Sequence, residues 1–264
     1  MGAMIALAQC GYPVDGNVSA QVAAWCEKAA AQGAELVVFP EDLMSPRPLT
    51  AEELRAIAEP LDGPFVRGIA DAARCSGLWV VFTMYERDGA GGRPHNVAVV
   101  IDDGGCVRGI YHKTHLYDAH GVYESARTVA GDKLFEPVDT PFGRLGLGIC
   151  YDLRFPEVAR AAALAGCTVL ALPSAWYDGP EKAAHWETLL RARAIENELF
   201  VLGVCRAGER YVGMSLVADP LGRVVAHAQG KGEELVVCEL DTDEVPRARA
   251  AMPVLEHLRP ELYR

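Results

Sequence analysis

Short apolar runs alternate with longer amphipathic stretches along the whole chain. The short runs have the length of buried strands, whereas the longer stretches repeat apolar residues at helical spacing. The pattern predicts strands at 5–9, 35–39, 78–85, 96–101, 106–111, 145–150, 168–172, 200–205, 214–219, 224–228 and 234–240. It predicts helices at 17–32, 64–77, 156–165 and 183–198, and a short helix after residue 50. Helices that alternate with strands in this way indicate one α/β domain with mixed sheets.

Local signals support several of these elements. Thr50 and Glu53 have the spacing of a capping box, which predicts a helix start. The Asp-Asp-Gly-Gly sequence at 102–105 separates two strand-like runs and predicts a β-hairpin. On the long helix at 183–198, the residues predicted to face the core are Trp186, Leu189, Leu190 and Ile195.

The composition is ordinary for a globular protein and limits the classes of partner. Half of the 264 residues are hydrophobic and 23% are charged, so we expect residues 1–264 to form a single domain with a full core. The net charge of −11 disfavours a broad binding surface for nucleic acid or anionic lipid. It leaves room for a small anionic substrate held by one or two local cations.

The cysteines and the hydropathy pattern indicate a reducing compartment. No apolar run reaches the roughly 18 residues of a membrane span, and the N-terminus lacks the basic region of a signal peptide. The eight cysteines form no C-x-x-C pair, and most lie in apolar runs. This pattern favours free, buried thiols over disulfides or a zinc site. We therefore expect a cytoplasmic protein without disulfides or a metal.

Reactive side chains lie at the ends of three predicted strands. Glu41, Lys113 and Cys150 each stand at or just past the end of an apolar run. Groups at the carboxyl ends of strands often bind ligands in α/β folds, but each of these has a plainer alternative when taken alone. For Glu41 and Lys113 the alternative is a solvated side chain, and for Cys150 it is an inert buried thiol. His112 and His115 lack a third metal ligand at the expected spacing, which favours hydrogen-bonded structural histidines.

Cys150 has the strongest local context of the three. It ends a glycine-containing strand, and a helix is predicted from Pro156. Such a strand–turn–helix exposes a nucleophile and places it near helix amides, which favour the thiolate. A dry carboxylate such as Glu41 can take the thiol proton, and Lys113 can stabilise an oxyanion. Together these residue types make a coherent hydrolytic site.

Three ordered motifs carry a family resemblance. They are Phe-Pro-Glu at 39–41, Tyr-His-Lys-Thr-His-Leu at 111–116, and Gly-Ile-Cys-Tyr-Asp-Leu-Arg-Phe-Pro at 148–156. With them the chain resembles the nitrilase superfamily of carbon–nitrogen hydrolases, from Ile5 to the segment around Tyr263.

The resemblance implies a fold and a set of roles. It implies a catalytic triad of Glu41, Lys113 and Cys150 that converges on one pocket, with Glu124 helping to position the lysine and the substrate. The backbone N–H of Tyr151 would join Lys113 in stabilising the oxyanion. The implied fold is an α-β-β-α sandwich of two mixed sheets flanked by helices, usually paired into an eight-layer homodimer. The implied chemistry needs no cofactor.

The resemblance also narrows the substrate. True nitrilases usually carry Trp-Glu after the nucleophile, whereas this chain has Tyr-Asp at 151–152. That stretch and the segment 259–263 resemble the ω-amidases, which hydrolyse the side-chain amides of 2-oxoglutaramate and 2-oxosuccinamate. The prediction is an amidase that converts a small carboxamide into acid and ammonia through a cysteine thioester.

The substrate pocket is predicted less directly. Trp176 falls where the family builds pocket walls, and specificity is expected to depend on the loop shape around Trp176 and Tyr117, so both are expected to bind substrate. A substrate carboxylate needs a cation, for which Arg154 and Arg206 are candidates, although Arg154 has the alternative of pairing with Glu157.

Several alternative functions stay open at this point. They are a broad aliphatic amidase, an amidase of the deaminated-glutathione type, an enzyme for nitriles or N-carbamoyl amines, and a non-catalytic thiol sensor. Glu41 and Lys113 argue against the sensor, because a sensor thiol needs no dedicated carboxylate base.

Overall fold

Two six-stranded mixed sheets form the centre of the computed structural model, which describes residues 2–87, 89 and 91–262. The strands are β1 Gly2–Gln9, β2 Leu36–Val38, β3 Trp79–Glu86, β4 His95–Ile101, β5 Val107–His112, β6 Asp118–Ala119, β7 Val122–Tyr123, β8 Val138–Thr140, β9 Gly143–Leu147, β10 Val169–Ser174, β11 Phe200–Cys205, β12 Leu216–Ala218, β13 Val224–His227 and β14 Glu234–Asp241. The helices are α1 Val18–Ala30, α2 Ala51–Ile57, α3 Pro64–Ser76, α4 Pro156–Leu164, α5 Lys182–Asn197 and α6 Glu244–Ala251. Short 3₁₀ turns occupy Glu124–Ala126, Cys150–Arg154 and Pro260–Leu262.

The two large sheets have matching topologies. The first has the order β14-β1-β2-β3-β4-β5 and the second the order β13-β12-β11-β10-β9-β8. In each, three central strands are parallel (β1, β2 and β3 in the first, β9, β10 and β11 in the second) and the outer strands pair antiparallel. The central parallel strands of both sheets are connected by helices, as parallel pairing requires.

The core consists of layers that follow the two-residue alternation of the strands. In β1, Ile5 and Leu7 face the second sheet, whereas Ala6 and Ala8 face α1 and α3. Helices α4 and α5 cover the other face of the second sheet, where Trp186 is fully buried. The predicted α-β-β-α sandwich of two mixed sheets is therefore confirmed.

Local sequence signals account for several element ends. The capping box at the start of α2 is formed as predicted, with Glu53 N–H donating to Thr50 Oγ1 and Thr50 N–H donating to the Glu53 carboxylate. Gly77 ends α3 in the left-handed conformation, with φ of 62°. Such a residue favours glycine because a side chain would be strained there.

Some sequence predictions need correction. Ile195 on α5 is exposed rather than in the core, because the buried stripe of this helix runs through Trp186, Leu190 and Ala194 on another face. The strand predicted to reach Cys150 ends at Leu147, since Cys150 has a positive φ and begins a 3₁₀ turn. Strands β6, β7 and β8 and helix α6 were not predicted, because they are too short or too polar to show a period.

The cysteines and the termini bear on the remaining expectations. All eight cysteines are free thiols, but Cys75 and Cys106 are exposed and do not pack as predicted. Tyr263, at the end of the family resemblance, lies outside the described residues. Among the residues that are described, no helix has the length and apolar character needed to cross a membrane.

Close packing of α5 against β11 gives a test of the second sheet. A Cβ at Gly203 would lie 2.4 Å from Leu190 Cδ1 and 3.0 Å from Trp186 Cζ2. We expect Gly203→Ala to lower the free energy of unfolding by about 1–3 kcal/mol, because the extra methyl overpacks a buried site. Urea unfolding measures this, with Gly232→Ala as control, where a Cβ meets nothing within 4 Å. Equal stability of both variants would contradict the described packing.

Candidate active site

A cavity opens where strand ends of the two sheets meet. It is lined by Glu41, Asp42, Leu54, Tyr85, Asn96, Lys113, Tyr117, Val122, Glu124, Arg127, Thr128, Cys150, Tyr151, Arg154, Ala175, Trp176, Tyr177, Lys182 and Tyr211. All seven residues that the sequence predicts for the site are therefore among its walls.

Glu41 lies at the floor of this cavity, in the turn that follows β2. Its carboxylate is buried and accepts three hydrogen bonds from protein groups. Oε1 accepts from Lys113 Nζ and from Asn96 Nδ2, both at 2.8 Å, and Oε2 accepts from the Ala175 N–H at 3.0 Å. Because Oε1 already has two donors, Oε2 is the oxygen with room for a further proton.

Lys113 follows β5 and is only 2% exposed. Its ammonium donates to Glu41 Oε1 and to both oxygens of Glu124, at 3.0 Å and 2.8 Å. All three ammonium protons are thus engaged by carboxylates. Burial alone lowers the pKa of Lys113, but the charges of Glu124 and Glu41 outweigh it and hold that pKa well above its usual value.

Glu124 comes from the 3₁₀ turn that follows β7. Besides binding Lys113, it accepts the Tyr117 N–H at 2.7 Å on Oε2 and Asn96 Nδ2 at 3.3 Å on Oε1. It therefore links the lysine to the loop that carries Tyr117.

Cys150 is the first residue of a 3₁₀ turn between β9 and α4. Its φ of 48° is rare for a residue with a side chain and costs on the order of 1–3 kcal/mol. Gly148 permits the tight approach of this turn to β10, since a Cβ there would lie 2.9 Å from Leu172 Cδ2. The strained turn holds the thiol in the cavity, beside the Glu41 carboxylate.

Burial and Glu41 keep the resting thiol protonated. Both raise the pKa of Cys150 well above its usual value, with burial as the larger cause, whereas Lys113 and the Ala175 N–H lower it. The prediction that nearby helix amides favour the thiolate is therefore wrong for the resting site. Glu41, a carboxylate that can accept the thiol proton, is in contact with the thiol.

Asp152 fixes the nucleophile turn to the loop of Lys113. It is buried and accepts hydrogen bonds from Ile149 N–H at 2.8 Å, Tyr111 Oη at 2.8 Å and His115 at 2.7 Å. The first contact belongs to the turn of Cys150 and the other two belong to the segment around Lys113. Asp152 thus joins the two halves of the site, a role that the sequence analysis did not assign.

The pocket walls are aromatic and basic. Tyr117 packs edge-on against Tyr151 at 5.1 Å between ring centroids. The Arg154 guanidinium stacks on the Trp176 ring, 4.7 Å from its centroid. Lys182 Nζ donates to Tyr117 Oη at 3.3 Å. Both predicted wall residues, Tyr117 and Trp176, are therefore close to a cation.

The two arginines predicted as contacts for a substrate carboxylate differ in their access to the cavity. Arg206 is fully buried, donates to the carbonyls of Glu41 and Asp42, and does not line the cavity, so it is not available to a substrate. Arg154 does line the cavity, where it stacks on Trp176, and no ion pair joins it to Glu157 among the described residues.

The prediction that His112 and His115 are hydrogen-bonded structural histidines agrees with their contacts. His112 Nε2 lies 2.5 Å from Glu86, and His115 Nδ1 lies 2.7 Å from Asp152 and stacks on Phe155. In the ranges 2–87, 89 and 91–262, no cluster of His, Cys, Asp and Glu has the arrangement of a metal site.

Residues 4–250 match the family model for carbon–nitrogen hydrolases. The chain belongs to the carbon–nitrogen hydrolase family. This result confirms the resemblance to the nitrilase superfamily that the three motifs carry.

Individual relatives agree with this membership. The carbon–nitrogen hydrolase described here is 37% identical over 254 residues to the deaminated glutathione amidase of Bos taurus, covering 89% of this chain and 75% of that protein. The crystal structure of the C. elegans NitFhit protein superposes with a TM-score of 0.91 and 34% identity, over 100% of this chain and 66% of that one.

A third relative has a modified cysteine. An amidase variant from Nesterenkonia sp. AN1, with the acetamide moiety of fluoroacetamide bonded to its active-site cysteine, has a TM-score of 0.84 and 25% identity, over 99% of this chain and 95% of that one. The prediction of an amidase-type carbon–nitrogen hydrolase is confirmed.

The charges around the thiol predict how its pKa responds to mutation. Since Glu41 raises the pKa of Cys150 and Lys113 lowers it, Glu41→Gln should lower that pKa and Lys113→Met should raise it. The ultraviolet absorbance of the thiolate during a pH titration measures both shifts. Subtracting the same titration of Cys150→Ala removes the signal of the other seven cysteines. A wild-type Cys150 thiolate at neutral pH would contradict the described electrostatics.

Proposed function

We propose that this enzyme hydrolyses the ω-amide of a small 2-oxo dicarboxylic acid, such as 2-oxoglutaramate, through a thioester on Cys150. The observation that carries the proposal is the juxtaposition of a buried Glu–Lys–Cys group with a basic and aromatic pocket wall. The first supplies amide hydrolysis, and the second supplies a counter-charge for a carboxylate at the far end of a short acyl chain.

Arg154 is the proposed contact for the substrate carboxylate. Its guanidinium stacks on Trp176 in the cavity wall, and no protein hydrogen bond or ion pair occupies its donors in residues 2–87, 89 and 91–262. A planar guanidinium with free donors can bind a carboxylate through two parallel hydrogen bonds. Lys182 and Tyr117 add a second cation and a hydroxyl to the same wall.

In the proposed first step, Oε2 of Glu41 takes the proton of the Cys150 thiol as the sulfur attacks the amide carbon. The tetrahedral intermediate carries its negative charge on the former carbonyl oxygen. The backbone N–H of Tyr151 is the proposed donor to this oxyanion, since the first N–H groups of a helical turn have no partner within the turn.

Lys113 is proposed to act on the oxyanion mainly through its charge. Its three protons are all engaged by Glu41 and Glu124, so a direct hydrogen bond requires one of the two contacts with Glu124 to open. Glu124 is accordingly proposed to position the lysine and to release a donor as charge develops.

Glu41 completes the proposed cycle. It returns the proton to the leaving nitrogen, so that the C–N bond breaks and ammonia departs from the acyl-enzyme. A water molecule, deprotonated by Glu41, then attacks the thioester carbonyl. The C–S bond breaks, the carboxylic acid leaves, and the thiol regains its proton. No cofactor enters this sequence of steps.

A second candidate substrate is deaminated glutathione. The relative from Bos taurus, 37% identical to this chain, carries that activity in its name. In deaminated glutathione the same 2-oxoglutaryl group is joined to cysteinylglycine, so both candidates give the same acyl-enzyme and differ only in the leaving amine. Arg127, which also lines the cavity, is a further cation for a larger, carboxylate-bearing leaving group.

A cytoplasmic homodimer is the proposed working form. The free thiols are consistent with a reducing compartment. Exposed apolar side chains at Leu164, Ile195 and Leu221 lie on or beside the outer layer of α4 and α5, which supports pairing of this layer with a second copy. Sedimentation of the wild type and of Ile195→Glu measures the assembly.

The catalytic roles predict the effects of two substitutions. Cys150→Ala should abolish ammonia release and leave the circular dichroism spectrum unchanged, whereas Cys75→Ala, at an exposed cysteine, should keep the full rate. Lys113→Ala should lower kcat by about 10²–10³, the usual cost of losing oxyanion stabilisation, and Lys133→Ala on the surface should not. Near-normal turnover by the variant at position 150 or 113 would refute the proposed mechanism.

Substrate preference tests the acyl recognition separately. We expect kcat/KM for 2-oxoglutaramate to exceed that for pentanamide, an uncharged amide of the same chain length. Arg154→Met should reduce kcat/KM for 2-oxoglutaramate by about 10- to 100-fold, as expected for a charge-assisted hydrogen bond, and leave pentanamide unaffected. Comparing kcat/KM for deaminated glutathione with kcat/KM for 2-oxoglutaramate shows whether the enzyme prefers cysteinylglycine or ammonia as the leaving group. A preference for pentanamide would replace the proposal by a broad aliphatic amidase.

A further inference from the structure

We propose that Asn96 is a positioning residue that gives the two oxygens of Glu41 different roles in proton transfer. Its side-chain amide would hold Oε1 so that Oε2 alone receives the thiol proton, and it would keep Glu124 beside the same lysine. This inference rests on the proposed role of Glu41 as the base.

Asn96 contacts three charged residues of the pocket, which are Glu41, Glu124 and Lys113. Its side chain is almost fully buried, and Nδ2 donates to Glu41 Oε1 at 2.8 Å and to Glu124 Oε1 at 3.3 Å. Its backbone carbonyl accepts the Lys113 N–H at 2.9 Å. A single residue therefore contacts both carboxylates through its side chain and the lysine through its backbone.

Strand register explains why Asn96 reaches all three groups. In the antiparallel pair of β4 and β5, Val97 lies opposite His112, which brings the next positions, Asn96 and Lys113, face to face at the end of the ladder. Asn96 thereby stands at the point where β5 delivers the lysine, and its side chain points into the cavity.

A neutral donor suits the charge balance of this site. Two carboxylates surround a single ammonium, so the group formed by Glu41, Glu124 and Lys113 carries one excess negative charge. An aspartate at 96 would add a third carboxylate and remove both donors, and a lysine would compete with Lys113. An amide adds two N–H donors without any charge, which holds both carboxylates in place and leaves the electrostatics to Lys113.

The hydrogen bonds on each oxygen of Glu41 indicate which oxygen accepts the thiol proton. Oε1 of Glu41 accepts Lys113 and Asn96, which uses both of its lone pairs. Oε2 accepts the Ala175 N–H, and that donor also contacts the Cys150 sulfur. If Asn96 is removed, Oε1 regains a free lone pair and becomes a second possible proton acceptor, and the carboxylate loses a hydrogen bond that favours its charged form.

The experiment compares Asn96→Leu, which keeps the size of the side chain, with the wild type and with Asn197→Leu. Asn197 is an equally buried asparagine, whose Nδ2 donates to the Arg193 carbonyl away from the pocket. For each enzyme, kcat and kcat/KM for 2-oxoglutaramate are measured across the pH range, together with the midpoint of urea unfolding.

We expect Asn96→Leu to move the acid limb of kcat/KM to higher pH and to lower kcat by about 10- to 100-fold near neutrality, with a smaller deficit at alkaline pH. KM should change little, because Asn96 acts through Glu41 rather than on the acyl group. Asn197→Leu should lose stability but keep the wild-type pH profile. Asn96→Ser, which cannot reach both carboxylates, should show the same displacement of the acid limb if the leucine variant does not fold.

An acid limb that stays in place in a folded Asn96 variant would overturn this inference, as would a loss of kcat that is uniform across the pH range. The proposed function fails differently: Glu41→Gln would then retain turnover, and the wild-type enzyme would show no acid limb that this substitution removes. Adding Glu41→Gln to the same set of pH profiles therefore distinguishes the two failures.

Discussion

The buried ammonium of Lys113 is the constraint on which the rest of the site depends. An unpaired cation at that depth would cost several kcal/mol, so the fold must bring carboxylates and their own donors to it. Glu41, Glu124 and Asn96 meet this requirement, and all three come from the half of the chain that builds the first sheet. Glu41 follows β2 and Asn96 lies on β4 of the first sheet, whereas Glu124 comes from the 3₁₀ turn after the small β6–β7 sheet.

The nucleophile comes from the other sheet, so packing of the two sheets decides whether the thiol meets its base. Cys150 follows β9, and its distance from Glu41 depends on contacts that cross the sandwich. Two such contacts are specific: the Ala175 N–H, just after β10, donates to Glu41, and Asp152 binds both the nucleophile turn and the Lys113 loop. These crossings explain how a site divided between two sheets holds hydrogen-bonding geometry.

Sequence reasoning works here wherever the cause is local, and it fails where the cause is a contact across the fold. The capping box of Thr50 and the strand-end positions of Glu41, Lys113 and Cys150 are readable from neighbours in the chain. Asn96 is the first residue of a predicted strand and shows no local sign of its contacts with two distant glutamates. Arg206 fails for the same reason, since only the folded chain reveals that backbone carbonyls occupy its guanidinium.

The proposed contact for the substrate carboxylate lies on the same 3₁₀ turn as Cys150. Cys150 begins this turn and Arg154 ends it, so four steps of about 2 Å each place their backbones about 8 Å apart. The Arg154 side chain lies over Trp176 in the cavity wall rather than in solvent, which keeps its charge near the thiol. This geometry supports the proposed substrate, in which the far carboxylate is only a few carbons from the scissile amide. A net charge of −11 therefore does not oppose an anionic substrate, because the local cation is attached to the nucleophile's own turn.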